Sequence, residues 1–149
     1  MADGPIGGGA GTQARPLGRP RPRPLSPHIS IYRWPITMAA SILHRLTGVA
    51  LAGGTLFLAW WLIAAASGPD AYDMFLGVAS HPVGWIILFG FVWSLSFHLL
   101  NGIRHLAWDL GYGFKVPTAR LTAALVFGLS LAIAVAVFAY GFFGVGGGL

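Results

Sequence analysis

Few side chains in this sequence can do chemistry, and most of those fall inside or beside apolar stretches. Ser41, His44 and Arg45 are spaced by three and four residues, which puts them on one helical face. Gly48 continues that face and permits close approach. Further on, His98 and His105 are seven residues apart, nearly in line on a helix and roughly 10 Å apart along its axis. Asn101 lies between them on the same face, and Arg104 directly precedes His105. Two chemistries suit this set. A haem takes an axial imidazole, and its propionates want Arg and His near the membrane surface, where His44, Arg45 and His105 stand. One iron cannot take both His98 and His105, because axial nitrogens sit ~2 Å from the metal on opposite sides. A quinone needs donors to its carbonyls at the rim of an apolar pocket, and Ser41 and Arg45 qualify. Plainer roles compete. An intramembrane His often bonds a backbone carbonyl or a neighbouring helix. Arg45 and Arg104 are also near enough to a surface to snorkel to headgroups.

The composition says what surrounds these groups. The chain has 149 residues, 56% of them hydrophobic and 9% charged, where soluble domains carry about 25% charged residues. Mean hydropathy is +0.72. A water-soluble globule of this size cannot cover its surface with so few polar groups, so an ordinary soluble enzyme is excluded. Cysteine is absent, which excludes disulfides, a thiolate-held iron–sulfur cluster and a Cys-based zinc site within the chain. There is no Glu, and the acids are Asp3, Asp70, Asp73 and Asp109. The net charge of +5 comes largely from N-terminal arginines. In so apolar a chain this is a topology signal rather than a nucleic-acid patch.

The elements that must position the polar groups are helices. Residues 1–24 are rich in Gly, Pro and Arg and read as a disordered soluble tail, since prolines prevent the amphipathic helix of a transit peptide. Residues 25–149 form the membrane-anchor domain, with transmembrane helices at about 36–66, 83–108 and 121–143. Each contains a charge-free stretch long enough to cross a ~30 Å hydrocarbon core. The expected fold class is therefore an all-α integral membrane protein with three transmembrane helices. The first helix begins near Pro35, and Gly111 and Gly113 end the second. Basic residues cluster before the first helix and between the second and third, which places the N-terminus in the cytoplasm and the C-terminus in the periplasm. Arg104 and His105 then return to the depth of Ser41 and Arg45, with His98 nearer the midplane. Ala124, Gly128, Ala132 and Ala136 make a packing stripe, within the chain or against a partner. A transporter with a proton-relay His pair would be expected to carry intramembrane acids or an internal repeat, and neither is seen. A purely structural anchor is the other rival.

Three motifs carry a family resemblance. Arg23–Tyr32, Arg-Pro-Leu-Ser-Pro-His-Ile-Ser-Ile-Tyr, resembles the N-terminal signature of the cytochrome b subunit of succinate dehydrogenase. So do Ser-Ile-Leu-His-Arg-Leu-Thr-Gly at Ser41–Gly48 and His-Leu-Leu-Asn-Gly-Ile-Arg-His-Leu-Ala-Trp-Asp at His98–Asp109. The likeness covers roughly residues 23–143. It implies half of a heterodimeric helical anchor bundle, without catalysis of its own and multi-pass in an inner membrane, of the form shared by mitochondria and their bacterial relatives; the tail unlike a transit peptide favours the bacterial inner membrane over the mitochondrial one. It implies His98 as an axial ligand of haem b, with the opposite ligand supplied by a second hydrophobic anchor subunit. It implies Ser41 and Arg45 at the ubiquinone site, and His44, Arg45 and His105 near the haem propionates. The implied partners are a flavoprotein subunit, an iron–sulfur subunit, the second anchor and the lipid bilayer.

Overall fold

Backbone N–H and C=O groups cannot go unpaired in hydrocarbon, and a helix pairs them within its own segment. In a computed structural model, which describes residues 24–144, each apolar stretch is accordingly one long helix. The chain divides into two units, Met1–Tyr32 and Arg33–Leu149. The tail expected over residues 1–24 lies outside the described residues except for Pro24. In the first unit α1 (His28–Ile31) is a single turn, in which Pro27 O accepts from Ile31 N at 3.1 Å and from Ser30 Oγ at 2.9 Å.

The second unit contains α2 (Ile36–Ser67), α3 (Pro69–Ala79), α4 (Pro82–Asp109) and α5 (Val116–Ala139). A π-helical turn, Tyr140–Gly144, follows α5. The membrane-crossing helices are α2, α4 and α5 with its π turn. The fold is thus all-α with three transmembrane helices, as expected. Pro35 is the N-cap of α2. At the end of α4, Gly111 and Gly113 both adopt φ +86°, a conformation that L side chains rarely take. Two features exceed the sequence reading. The connection bearing Asp70 and Asp73 is itself helical, with Pro69 in the first turn of α3. The helix of the third stretch begins five residues before Leu121, at Val116, with Pro117 in its first turn. A charge-free stretch marks hydrocarbon, whereas a helix runs on into the headgroup layer.

Helix α4 packs most extensively on α5 and next on α2. All three meet at Ala40, Phe97, Ala123 and Val126, with the Phe97 and Phe127 rings 5.2 Å apart. Hydroxyls inside the spans turn back to carbonyls three or four residues earlier, as Ser96 does to Val92 at 2.8 Å and Ser130 to Phe127 at 3.1 Å. The buried face of α5 is Ala123, Val126, Ser130 and Ala134. The stripe Ala124, Gly128, Ala132 and Ala136 is exposed, so it faces away from the chain's own helices. Only 6% of the most apolar window of α2 is buried, against 22% in each of the other spans. Most of α2 therefore needs lipid or another protein against it.

Candidate functional site

Helices α2 and α4 bring three histidines together. The rings of His44 and His98 stack with centroids 3.9 Å apart and planes 14° from parallel. The His105 centroid lies 5.4 Å from that of His44, tilted by 36°. His44 is thus the middle member, reached from α4 by two residues two turns apart. Gly48, one turn beyond His44, makes the approach feasible: a Cβ there would stand 3.2 Å from His98 Cε1.

The His98 ring is held by one edge. Its Nδ1 lies 3.1 Å from the backbone oxygen of His44 and 3.2 Å from Thr47 Oγ1. A carbonyl oxygen only accepts, so Nδ1 carries the hydrogen and Nε2 keeps its lone pair. This is the tautomer a metal-ligating imidazole adopts when a carbonyl holds its other nitrogen. The carbonyl contact anticipated as the plain alternative to ligation is therefore present, and it leaves a ligating nitrogen free. Among the described residues, no three His, Cys, Asp or Glu side chains converge as a metal chelate. An iron on His98 would need its remaining ligands from outside these side chains.

The other predicted residues divide between two places. Ser41 is half-buried and Arg45 exposed, on the α2 turn that holds His44. Arg104 does not snorkel. It is 6% exposed and lies between α4 and α5. Its Nε donates to Thr122 Oγ1 at 3.1 Å, Nη1 to Asn101 Oδ1 at 3.2 Å and Nη2 to Ala119 O at 3.2 Å. Its guanidinium carbon lies 4.1 Å from the centroid of the Trp108 ring. Asn101 therefore joins this α4–α5 network and not the histidine stack. The sequence reading missed it because Thr122 and the Ala119 carbonyl belong to another helix and carry no motif of their own. His81 caps α4 by accepting from Val83 N at 3.3 Å.

Among the described residues, His44 Nδ1 and Asn101 Nδ2 are buried without a hydrogen-bond partner. An unpaired buried polar group costs about 1–3 kcal/mol. The stack itself holds three imidazoles, and the exposed Arg45 adds a guanidinium on the same turn of α2. Such a donor-rich set suits an acceptor or anion brought from outside the chain, a carboxylate or a quinone carbonyl.

Comparison with known proteins decides the family. A family model described as succinate dehydrogenase/fumarate reductase transmembrane subunit matches residues 19–137. The chain belongs to this family. It is 42% identical over 113 residues to the succinate dehydrogenase cytochrome b556 subunit of Paracoccus denitrificans, covering 76% of this chain and 87% of the relative. The cytochrome b556 subunit of Rickettsia prowazekii is 46% identical over 101 residues, covering 67% and 77%. The mitochondrial cytochrome b560 subunit of Mus musculus is 40% identical over 108 residues, covering 70% and 63%. The resemblance carried by the three motifs is thus borne out, and the chain is a multi-pass membrane protein of the succinate dehydrogenase cytochrome b type.

Proposed function

We propose that this chain anchors a succinate:quinone oxidoreductase in the bacterial inner membrane. In this reading it binds haem b jointly with a second hydrophobic anchor subunit and helps form the site where ubiquinone is reduced. The observation that carries the reading is the edge-held His98, with Nδ1 on the His44 carbonyl at 3.1 Å and Nε2 left as the donor nitrogen. Bound haem supplies one-electron redox chemistry at an iron whose potential its surroundings tune. His98 would hold the iron from this chain, and the other anchor would supply the remaining protein ligand. His44, Arg45 and His105 would take the propionates, which suits a set rich in donors. The orphaned Nδ1 of His44 then finds a partner.

Ser41 and Arg45 serve the quinone. They lie one turn apart near the start of α2, with the apolar remainder of the helix beyond for an isoprenoid tail. The Arg45 guanidinium stabilises negative charge growing on a quinone oxygen, and Ser41 orients the ring by hydrogen bonding. Succinate oxidation itself belongs to partners. With no cysteine and no dinucleotide-binding unit, the chain leaves the flavin to a flavoprotein subunit and the clusters to an iron–sulfur subunit. These soluble partners sit on the N-terminal, cytoplasmic side in the orientation given by the basic residues, with the C-terminus periplasmic.

The test is the visible spectrum of the purified complex, with and without dithionite. The expected result is a low-spin b-type haem that His98→Ala abolishes or converts, whereas His105→Ala only shifts its bands. A six-coordinate low-spin spectrum retained by the His98→Ala complex would overturn the ligand assignment.

A further inference from the structure

We propose that Thr47 is a positioning residue for His98: its hydroxyl fixes the imidazole edge-on against α2 and sets how strongly Nε2 donates to iron. The inference rests on the axial-ligand reading above and goes beyond it to a residue outside the ligand, propionate and quinone sets. Thr47 is 2% exposed. Its hydroxyl donates to the His44 carbonyl at 2.9 Å, and its oxygen lies 3.2 Å from His98 Nδ1. Nδ1 is in turn 3.1 Å from that same carbonyl. One N–H therefore faces two acceptors that are tied to each other, a three-centre arrangement closed by the Thr47 hydroxyl hydrogen.

Hydroxyls elsewhere in the spans show that the backward bond alone means little. Thr55 bonds the Ala52 carbonyl at 2.6 Å and does no more than satisfy itself. Thr47 makes the same local bond and adds a contact to an imidazole 51 residues away. The local bond locks the stiff, β-branched side chain so that its oxygen stays aimed at the ring edge. The other sides of the ring are set by α2 as well. The His44 ring covers one face at a centroid distance of 3.9 Å, and Gly48 lies against Cε1. The ring plane and the protonated nitrogen are thus both specified by a single turn, His44–Gly48.

Two consequences follow for a bound iron. A hydrogen bond from Nδ1–H gives the imidazole partial imidazolate character, which strengthens Nε2 as a donor and favours the ferric state. Holding the plane fixes the orientation of the ligand relative to the macrocycle. Removing the hydroxyl weakens the first effect and frees the second, so the haem potential should rise.

The experiment uses the assembled complex with Thr47→Val, which keeps the shape and loses the hydroxyl, and Thr47→Ser, which keeps the hydroxyl. Haem content, the midpoint potential from a redox titration of the haem band, and the low-temperature EPR of the oxidised haem are read for each. The expected result is a higher midpoint potential and displaced low-spin g values in Thr47→Val, with both near wild type in Thr47→Ser. Loss of haem from Thr47→Val alone also supports the hydroxyl's role. Wild-type potential and g values in Thr47→Val would overturn the proposal. Equal changes, or equal loss of haem, in both variants would also overturn it, since packing and not the hydroxyl would then be responsible. A wild-type complex without haem would instead overturn the ligand reading on which the proposal stands.

Discussion

Arg104 offers the sharpest test of how the bundle is held together. Its three hydrogen bonds, at 3.1, 3.2 and 3.2 Å, bridge α4 to α5 and are made by a side chain only 6% exposed. Bonds from a charged donor contribute about 1.5–3 kcal/mol each in soluble proteins, but interhelical bonds in membranes average about 0.6 kcal/mol. The Trp108 contact at 4.1 Å adds about 0.5–2 kcal/mol. Arg104→Leu should therefore cost about 3–5 kcal/mol, weighting the charge-assisted bonds between the two scales. Part of this is the cost of stranding Asn101, which is 0% exposed and already has an unpaired Nδ2. Arg104→Lys keeps the charge but cannot present a planar fork to three acceptors, so it should recover less than half of the loss.

The assay is an SDS titration of the purified complex in mixed micelles, followed by far-UV circular dichroism. Arg104→Leu should shift the midpoint furthest, Arg104→Lys less. The double variant with Asn101→Leu should lose less than the two single losses together, because both partners of one bond are then removed. A wild-type midpoint for Arg104→Leu, or strict additivity with Asn101→Leu, would refute the buried bridge.

Two further outcomes are expected. Arg45→Leu should sharply reduce succinate–quinone turnover, by the ~2–4 kcal/mol of an oxyanion-type donor, while succinate oxidation with an artificial acceptor survives; Ser41→Ala should show the same split mildly, as a higher apparent KM for quinone. Normal quinone turnover in the Arg45→Leu complex would remove Arg45 from the quinone site. Gly48→Val should expel or displace the His98 ring, because even a Cβ would lie 3.2 Å from Cε1, whereas Gly48→Ala should retain haem with shifted bands; a Gly48→Val complex with wild-type haem content and spectrum would show that the close approach is not needed.

What the sequence disclosed and what it hid follow one physical line. Spans were legible because hydrocarbon demands long runs without charge, and the ends at Pro35, Gly111 and Gly113 carry their own backbone signals. The gathering of His44, His98 and His105 was legible because helical spacing puts each on a defined face. Helix α3 was harder to see, since the connection between the first two spans is too short and too mixed to announce itself by hydropathy. Asn101 was assigned to the histidines because spacing along one helix cannot say which neighbour claims a residue near the boundary of two faces. That choice is made by Thr122 and the Ala119 carbonyl, on a helix whose rotation no pattern in α4 reveals. The stripe of small residues on α5 was legible as a packing surface, but only the fold shows that it faces outward.

The guanidinium groups of Arg104 and Arg45 separate structure from chemistry. Arg104 spends its donors on neutral acceptors within the chain and stands over Trp108, so its position is set by packing. Arg45 is exposed on α2, the span with the least of its apolar window buried. A guanidinium there is costly to leave without an anion or a polar ligand. The same holds for the orphaned Nδ1 of His44 beside it in the sequence. Both deficits lie on the helix that most needs a neighbour. On the proposed reading, polar partners for both and apolar cover for the helix would arrive together with a bound cofactor and a second anchor subunit. The fold of this chain and its proposed part in electron transfer are then incomplete for the same reason.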